Sequence, residues 1–171
     1  MTYMTAQKRR SCGFTLIELL IVIAIIAIIA SVVFVALNPL RRFRDSRDAA
    51  RWHDISELMH AIVLDQVDNG GTYLSAIETM TTGSVYMIGL GNSGCDDQNG
   101  VCDTDVSGDL LCVDLTGLTS QGYIAEVPIS PNGQGTWTAN VTGYTLMTST
   151  SGAITLRACE SENTSEISLT R

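Results

Sequence analysis

Residues 8–30 read KRRSCGFTLIELLIVIAIIAIIA, a basic segment that passes through one glycine into a continuous apolar run. From Leu19 to Leu37 the only polar residue is Ser31. At about 1.5 Å per residue, a helix over these positions would be about 28 Å long, which is close to the hydrocarbon thickness of a bilayer. The stretch therefore predicts a helix that crosses a membrane once.

The order of the basic and apolar parts differs from that of a secretory signal peptide. Such a signal is cut after its apolar part at a small residue, whereas here the small residue, Gly13, precedes the apolar run. A cut after Gly13 would remove a charged leader and leave the apolar helix with a new amino group on Phe14. Glu18 lies at the edge of the apolar run, where a charge is costly and usually functional. The new amine could neutralise it.

The spelling GFTLIE over residues 13–18 resembles the cleavage and methylation site of type IV pilins and of the related pseudopilins of type II secretion systems. The resemblance implies that a prepilin peptidase cuts after Gly13 and methylates the amine of Phe14. It also implies that Glu18 is the assembly glutamate, paired with the amine of its own Phe14 or, as the family favours, of a neighbouring subunit. A desolvated carboxylate and a desolvated ammonium are each costly alone and become tolerable as a pair.

The resemblance implies a function, a location and a set of partners. The chain would be a structural subunit of a type IV pilus-like filament or, alternatively, a type II secretion pseudopilin. Its precursor would cross the inner membrane once, surrounded by lipid, and the assembled homo-oligomeric filament would lie at the cell surface or, as a pseudopilus, in the periplasm. The partners would be the prepilin peptidase and the inner-membrane assembly machinery.

A further alternative requires no filament. The chain could be a membrane-tethered binding module or an enzyme that carries a structural calcium site. No set of a nucleophile and an activating base is recognisable in the sequence, so we expect no enzymatic activity.

Charge is distributed unevenly along the 171 residues, whose formal net charge is −8. Removal of the leader would change this to −11, since three positive residues leave with it: Lys8, Arg9 and Arg10. From residue 71 onward, eleven acids are accompanied only by Arg157 and Arg171. Nucleic-acid binding relies on clustered Lys and Arg, so we expect no direct nucleic-acid binding by the free domain. Five arginines between residues 41 and 51 compete with the leader for the cytoplasmic side by charge bias.

The remaining sequence predicts how the helix continues. Pro39 lacks an amide hydrogen and should kink or open the helix just past the span. Apolar residues then recur at helical spacing to about Asp68, where Gly70 and Gly71 follow, which predicts an amphipathic second half of the helix that ends there. We therefore divide the chain into a leader (1–13), a transmembrane and filament-core helix (14–38), its amphipathic continuation (39–70) and an extracellular domain (71–171).

The extracellular part has the composition of short strands and long loops. Apolar runs separated by Gly, Ser, Thr and Asn predict strands at 84–90, 144–150 and 153–158. We expect Ser151 and Gly152 to form a two-residue hairpin turn, and residues 115–121 to form a short helix. The predicted fold class is α+β, with a long N-terminal helix packed on a small antiparallel β-sheet.

Cysteines and aspartates concentrate in one loop region. Cys12 leaves with the leader, and the four that remain in an exported domain are expected to form disulfides: Cys95, Cys102, Cys112 and Cys159. Of the three possible connectivities, we favour Cys95–Cys102 with Cys112–Cys159.

Residues 103–114 fit the spelling of an EF-hand calcium loop, with glycine at the sixth place and oxygen-bearing side chains at the ligand places. The candidate ligands are Asp103, Asp105, Ser107, Asp109 and Asp114. The twelfth residue is Asp rather than the usual Glu, no ordinary helix pair flanks the loop, and aspartates also favour turns. Both a structural calcium ion, as in the major pseudopilins that this chain resembles, and a plain acidic turn therefore remain open.

Overall fold

The computed structural model describes residues 13–171, so the predictions for residues 1–12 lie outside the described residues. The chain divides into two compact units, one ending at Pro39 and the other comprising Leu40–Arg171. Helix α1 (Leu16–Leu37) and helix α2 (Pro39–Asp68) are separated by Asn38, whose φ of 38° is left-handed. Pro39 is the first residue of α2, where its missing N–H leaves no helical bond unmade. The predicted helix break at this position is confirmed.

Helix α1 is apolar apart from Glu18 and Ser31, and none of its residues is buried. The Ser31 hydroxyl donates to the carbonyl oxygen of Ile28 at 2.7 Å, so its hydrogen bond is made within the helix, as an apolar surrounding requires. Among the described residues, this is the one helical stretch long and apolar enough to cross a membrane, with a mean hydropathy of 3.4 over its most apolar 18 residues.

The second unit builds one sheet beside α2. Its strands are β1 (Val85–Ile88), β2 (Cys112–Val113), β3 (Tyr144–Thr148), β4 (Ile154–Ala158) and β5 (Ser168–Thr170), in the order β2-β1-β3-β4-β5. Two short helices accompany them, α3 (Ser75–Glu78) and α4 (Thr116–Ser120). The pairs β1–β3, β3–β4 and β4–β5 are antiparallel, and β1–β2 is parallel. The predicted α+β class is confirmed, but the sheet is mixed rather than wholly antiparallel.

Helix α2 covers the sheet with the apolar stripe that its sequence predicts. Ile55, Met59 and Ile62 are buried in one core with Tyr144 and Leu146 of β3. At roughly 1.5–3 kcal/mol for each fully buried large aliphatic side chain, this face supplies much of the stabilisation of the second unit. Trp52, although on the same period, stays partly exposed.

The predicted two-residue turn between β3 and β4 is wrong. Thr148 pairs with Ile154, so residues 149–153 connect the strands. The Ser149 hydroxyl accepts from the Ala153 amide at 3.0 Å, and Gly152 has a φ of 83°. The Ser149 hydroxyl thus takes the place of a backbone acceptor and stabilises the loop over residues 149–153.

A buried ion network attaches the C-terminal part of the chain to α2. Arg51 is fully buried, and its Nη1 donates to Asp48 Oδ1 at 2.9 Å and to Glu162 Oε1 at 3.0 Å. Its Nη2 lies 3.4 Å from Glu160 Oε2, and its Nε donates to Ser130 Oγ at 3.1 Å. The guanidinium therefore has partners along its whole edge, which a buried charge requires.

The acids of this network are bonded further into the chain. Glu160 accepts from the Gly135 amide at 2.6 Å and from the Trp137 indole N–H at 2.8 Å. Glu162 also accepts from Arg47 Nε at 2.6 Å. The bonds from Arg47, and then those from Arg51, outweigh burial and lower the pKa of Glu162 below its ordinary value. The network thus holds residues 130–137 and 160–162 against α2.

The structure forms two disulfides from the four predicted cysteines, but with a different connectivity: Cys95–Cys112 and Cys102–Cys159. The favoured pair Cys112–Cys159 is excluded by the sheet. Cys112 is in β2, at one edge, whereas Cys159 directly follows β4, three strand spacings away. At about 4.8 Å per spacing, this separation exceeds the roughly 7 Å limit between the Cα atoms of a disulfide.

We expect the two disulfides to contribute unequally to stability. The bonds close segments with sequence separations of 57 for Cys102–Cys159 and 17 for Cys95–Cys112. Loop-closure entropy predicts that Cys102→Ser/Cys159→Ser lowers the free energy of unfolding by about 4 kcal/mol and Cys95→Ser/Cys112→Ser by about 3 kcal/mol. Denaturant unfolding of the full chain in detergent measures both. Equal losses, or the reverse order, would contradict the prediction.

Candidate functional site

The predicted cleavage point lies in an accessible part of the described chain. Gly13, Phe14 and Thr15 precede α1 without regular secondary structure, and all three are exposed. Within residues 13–171, and apart from Gly13 and its chain neighbours, no heavy atom lies within 4 Å of the position that a Cβ on Gly13 would occupy. Residues 13–171 therefore leave the peptide bond between Gly13 and Phe14 accessible to a peptidase.

Thr15 and Glu18 form a reciprocal cap at the start of α1. The Glu18 amide donates to Thr15 Oγ1 at 3.3 Å, and the Thr15 amide donates to Glu18 Oε2 at 2.8 Å. The Thr15 hydroxyl also donates to Oε2, at 2.8 Å. This is a capping box, in which two amides without helical partners are satisfied. The residue Thr15 was missed in the sequence analysis, although the spelling Thr-x-x-Glu before an apolar run is its signal.

The cap determines where the Glu18 carboxylate lies. Its Oε2 is bonded to the amide of Thr15, the residue directly after Phe14, so it lies close to the nitrogen that cleavage would expose. Among the described residues, no hydrogen bond or ion pair involves Oε1 of Glu18. One carboxylate oxygen therefore orders the helix start, and the other can accept from a cation.

Comparison with protein families finds the prokaryotic N-terminal methylation motif at residues 8–34. This match covers the basic leader, Gly13, Phe14, Glu18 and most of α1. Searches of curated proteins and of solved structures found no match.

The motif is the signature of type IV pilins and pseudopilins. Together with the apolar helix and the two disulfides, it supports a type IV pilin-like or pseudopilin subunit. It also fits a precursor that is anchored in a membrane.

Among the described residues, the carboxylates predicted as calcium ligands within residues 103–114 do not form one cluster. Ser107 accepts from the Val85 amide, Asp114 from the Thr116 amide, and Asp103 from the Ser161 hydroxyl. Asp105 is exposed and lies outside the one acidic cluster that the described residues form. Of the five predicted ligands, only Asp109 belongs to that cluster.

Asp109 instead meets Asp96 and Asp97, with oxygens of all three carboxylates within 4.8 Å of one another. The Cys95–Cys112 disulfide brings Asp109 close to the segment that contains Asp96 and Asp97. The Gly94 amide donates to Asp109 Oδ1, and the Cys95 amide donates to the carbonyl oxygen of Asp109. An EF-hand loop connects two helices, whereas residues 103–111 lead into strand β2. Asp114 follows this strand and accepts from the Thr116 amide instead of joining the cluster. The cluster could hold a metal ion, because oxygen donors suit hard cations.

Proposed function

We propose that the chain is the precursor of a structural subunit of a type IV pilus-like filament. A prepilin peptidase would remove residues 1–13 and methylate the amine of Phe14, and the inner-membrane assembly machinery would then build a homo-oligomeric filament. The proposal assigns the chain a structural role without catalysis. The observation that carries it is the methylation motif joined to an apolar helix with no buried residue.

The exposed surface of α1 needs an apolar partner at every stage. An uninterrupted apolar surface of this size is unfavourable in water. The bilayer would cover it in the precursor, and the helices of neighbouring subunits would cover it in the filament. The same segment would thereby serve first as anchor and then as filament core.

Glu18 would supply specificity to this packing. Its Oε2 is held by Thr15, so the carboxylate is already ordered before a neighbouring subunit arrives. The methylated amine of Phe14, from the neighbour or from the same chain, would pair with it. Each charge is costly in an apolar surrounding without the other.

A type II secretion pseudopilin is the second candidate function. It shares the motif at residues 8–34, and the acidic cluster beside the Cys95–Cys112 disulfide favours it, because the major pseudopilins that the chain resembles bind calcium. The precursor would lie in the inner membrane in both cases. The assembled filament would lie at the cell surface or in the periplasm.

Mass spectrometry of surface structures sheared from cells tests the proposed processing and assembly. We expect a chain that begins at Phe14, carries one added methyl group and is enriched in the sheared fraction. A chain that begins at Met1 and stays in the membrane would contradict the proposal and favour a membrane-tethered module, which needs neither cleavage nor Glu18.

We also propose that the acidic cluster holds a structural calcium ion. No Lys or Arg occurs between Arg51 and Arg157, so no ammonium or guanidinium group from that long segment can offset the repulsion among Asp96, Asp97 and Asp109. A divalent cation bound by carboxylate oxygens would offset it.

The calcium proposal predicts a ligand-dependent melting temperature. Calcium at about 1 mM should raise the melting temperature of the full chain by several degrees, because binding to the folded state alone is stabilising. Asp109→Asn should abolish the increase, whereas Asp105→Asn, outside the cluster, should retain it. An unchanged melting temperature in the native chain would contradict the proposal.

A further inference from the structure

Five residues at the start of the second unit form an exposed patch of mixed character. Residues 40–44 read LRRFR, and all five are exposed. Leu40 is 71% exposed and Phe43 is 64% exposed, while the Arg44 side chain is 55% exposed. We call residues 40–44 the juxtamembrane patch. Exposed apolar side chains bordered by charged ones are typical of a surface that binds a partner or a membrane.

The arginines of this part of α2 fall into two groups. Arg47 and Arg51 are used inside the fold by Glu162 and its neighbours. Arg44 reaches Glu162 only at 3.9 Å and keeps most of its side chain in solvent. Beyond Arg51, the next Lys or Arg is Arg157. The exposed arginines of α2 therefore all lie in the juxtamembrane patch.

Chain length alone keeps the patch near the end of the apolar helix. Arg41 follows Leu37, the last residue of α1, by four residues, which span at most about 14 Å even when fully extended. The headgroup layer on each side of a bilayer is about 5–8 Å thick. If α1 crosses the membrane as proposed above, the start of the patch, at Leu40 and Arg41, lies within or beside this layer.

We propose that the juxtamembrane patch binds the phosphate headgroups of anionic phospholipids in the bilayer that α1 spans. Guanidinium groups bind phosphate through two parallel hydrogen bonds, and basic segments beside a span are attracted to anionic lipid. Leu40 and Phe43 would insert beside the acyl chains, as apolar residues of interfacial helices do. This inference rests on the proposed membrane-anchored precursor, and it gives the arginines beyond the span a role that does not require them to be cytoplasmic.

The test measures lipid selectivity around the full-length chain. The chain is reconstituted in phosphatidylcholine bilayers that contain spin-labelled phosphatidylglycerol or spin-labelled phosphatidylcholine, and electron paramagnetic resonance gives the relative association of the two lipids. We expect Arg41→Gln/Arg42→Gln/Arg44→Gln to lower the preference for phosphatidylglycerol by at least about twofold. Arg157→Gln/Arg171→Gln is the matched control and should leave the preference unchanged. All chains keep the same basic leader, so the difference between variants belongs to the patch.

Replacement of the three arginines by lysine separates charge from folding. This variant should retain the preference for anionic lipid, and its melting temperature should match that of the native chain. An unchanged preference in the glutamine variant would overturn the inference. If that variant instead loses chemical cross-linking between chains in neutral bilayers, the patch binds the acidic loops of a second copy, which also overturns it.

The outcome is distinguishable from a failure of the proposed function. A chain that does not co-float with the vesicles would overturn the proposed anchoring and this inference together. A chain that floats but shows no change between variants would overturn this inference alone.

Discussion

Replacing Arg51 with methionine is expected to lower the free energy of unfolding by about 3–5 kcal/mol. Methionine has a similar length and leaves the apolar part of the packing intact. Without the guanidinium, however, Asp48 and Glu160 would remain in the same small volume without a cation, and Glu162 would keep only its bonds to Arg47 and its distant contact with Arg44. The loss therefore measures the penalty of removing the cation that Asp48, Glu160 and Glu162 share.

Denaturant unfolding of the full chain in detergent measures this loss, and Arg44→Met is the matched control. Arg44 lies on the same helix and approaches the same Glu162, but at 3.9 Å and with a side chain that is mostly exposed. Exposed ion pairs contribute about 0–1 kcal/mol, so this variant should be close to native stability. Similar losses for the two variants would show that the buried network does not hold residues 130–137 and 160–162 in place.

Partial recovery provides a second check on the mechanism. Adding Glu160→Gln to Arg51→Met removes one of the uncompensated charges, while the amide oxygen can still accept from the Trp137 indole and the Gly135 amide. The double variant should therefore be more stable than Arg51→Met alone. A double variant that is less stable would contradict the charge explanation.

Replacing Glu18 with alanine is expected to abolish filament assembly while leaving the chain in the membrane. The apolar surface of α1 is unchanged by this substitution, so insertion should persist. What is lost is the anion that would pair with the amine of Phe14, and an unpaired ammonium among packed apolar helices is unfavourable. We expect the sheared filament fraction to fall by at least about tenfold, measured by immunoblot against the membrane fraction.

Glu18→Gln separates the charge from the helix cap. Glutamine can replace glutamate in a capping box, so the bond to Thr15 can be kept while the charge is removed. We expect Glu18→Gln to lose assembly as alanine does, and Glu57→Gln, a neutralisation on the exposed part of α2, to assemble normally. Normal filaments from Glu18→Gln would show that the cap, and not the charge, is what assembly requires.

The parts of the fold that depend on neighbouring residues were accessible from the sequence. The apolar run determined α1, and Asn38 with Pro39 determined where it ends, because a proline acts on the turn that precedes it. The helix end at Asp68, the strands β1, β3 and β4, and the short helix α4 were likewise predicted from local spacing and turn residues. Strands β2 and β5 are two and three residues long, which is too short for an alternation of apolar and polar residues to be recognised in the sequence.

The candidate assembly site is likewise formed by residues that are neighbours in the sequence. Gly13, Phe14, Thr15 and Glu18 lie within six consecutive residues, so their arrangement follows from one helix start. Only Thr15 was overlooked, and the capping-box spelling would have identified it.

The tertiary structure alone decided the cysteine pairing, the acidic cluster and the ion network around Arg51. Cys102 bonds to a cysteine 57 residues away, and Arg51 meets Glu162 at a separation of 111 residues. Such contacts depend on the order of the strands, which places Cys112 and Cys159 on different parts of the sheet. Spacing along the chain determines which residues share a helix face, but which distant segments meet is determined by how the sheet and α2 bury their apolar faces together.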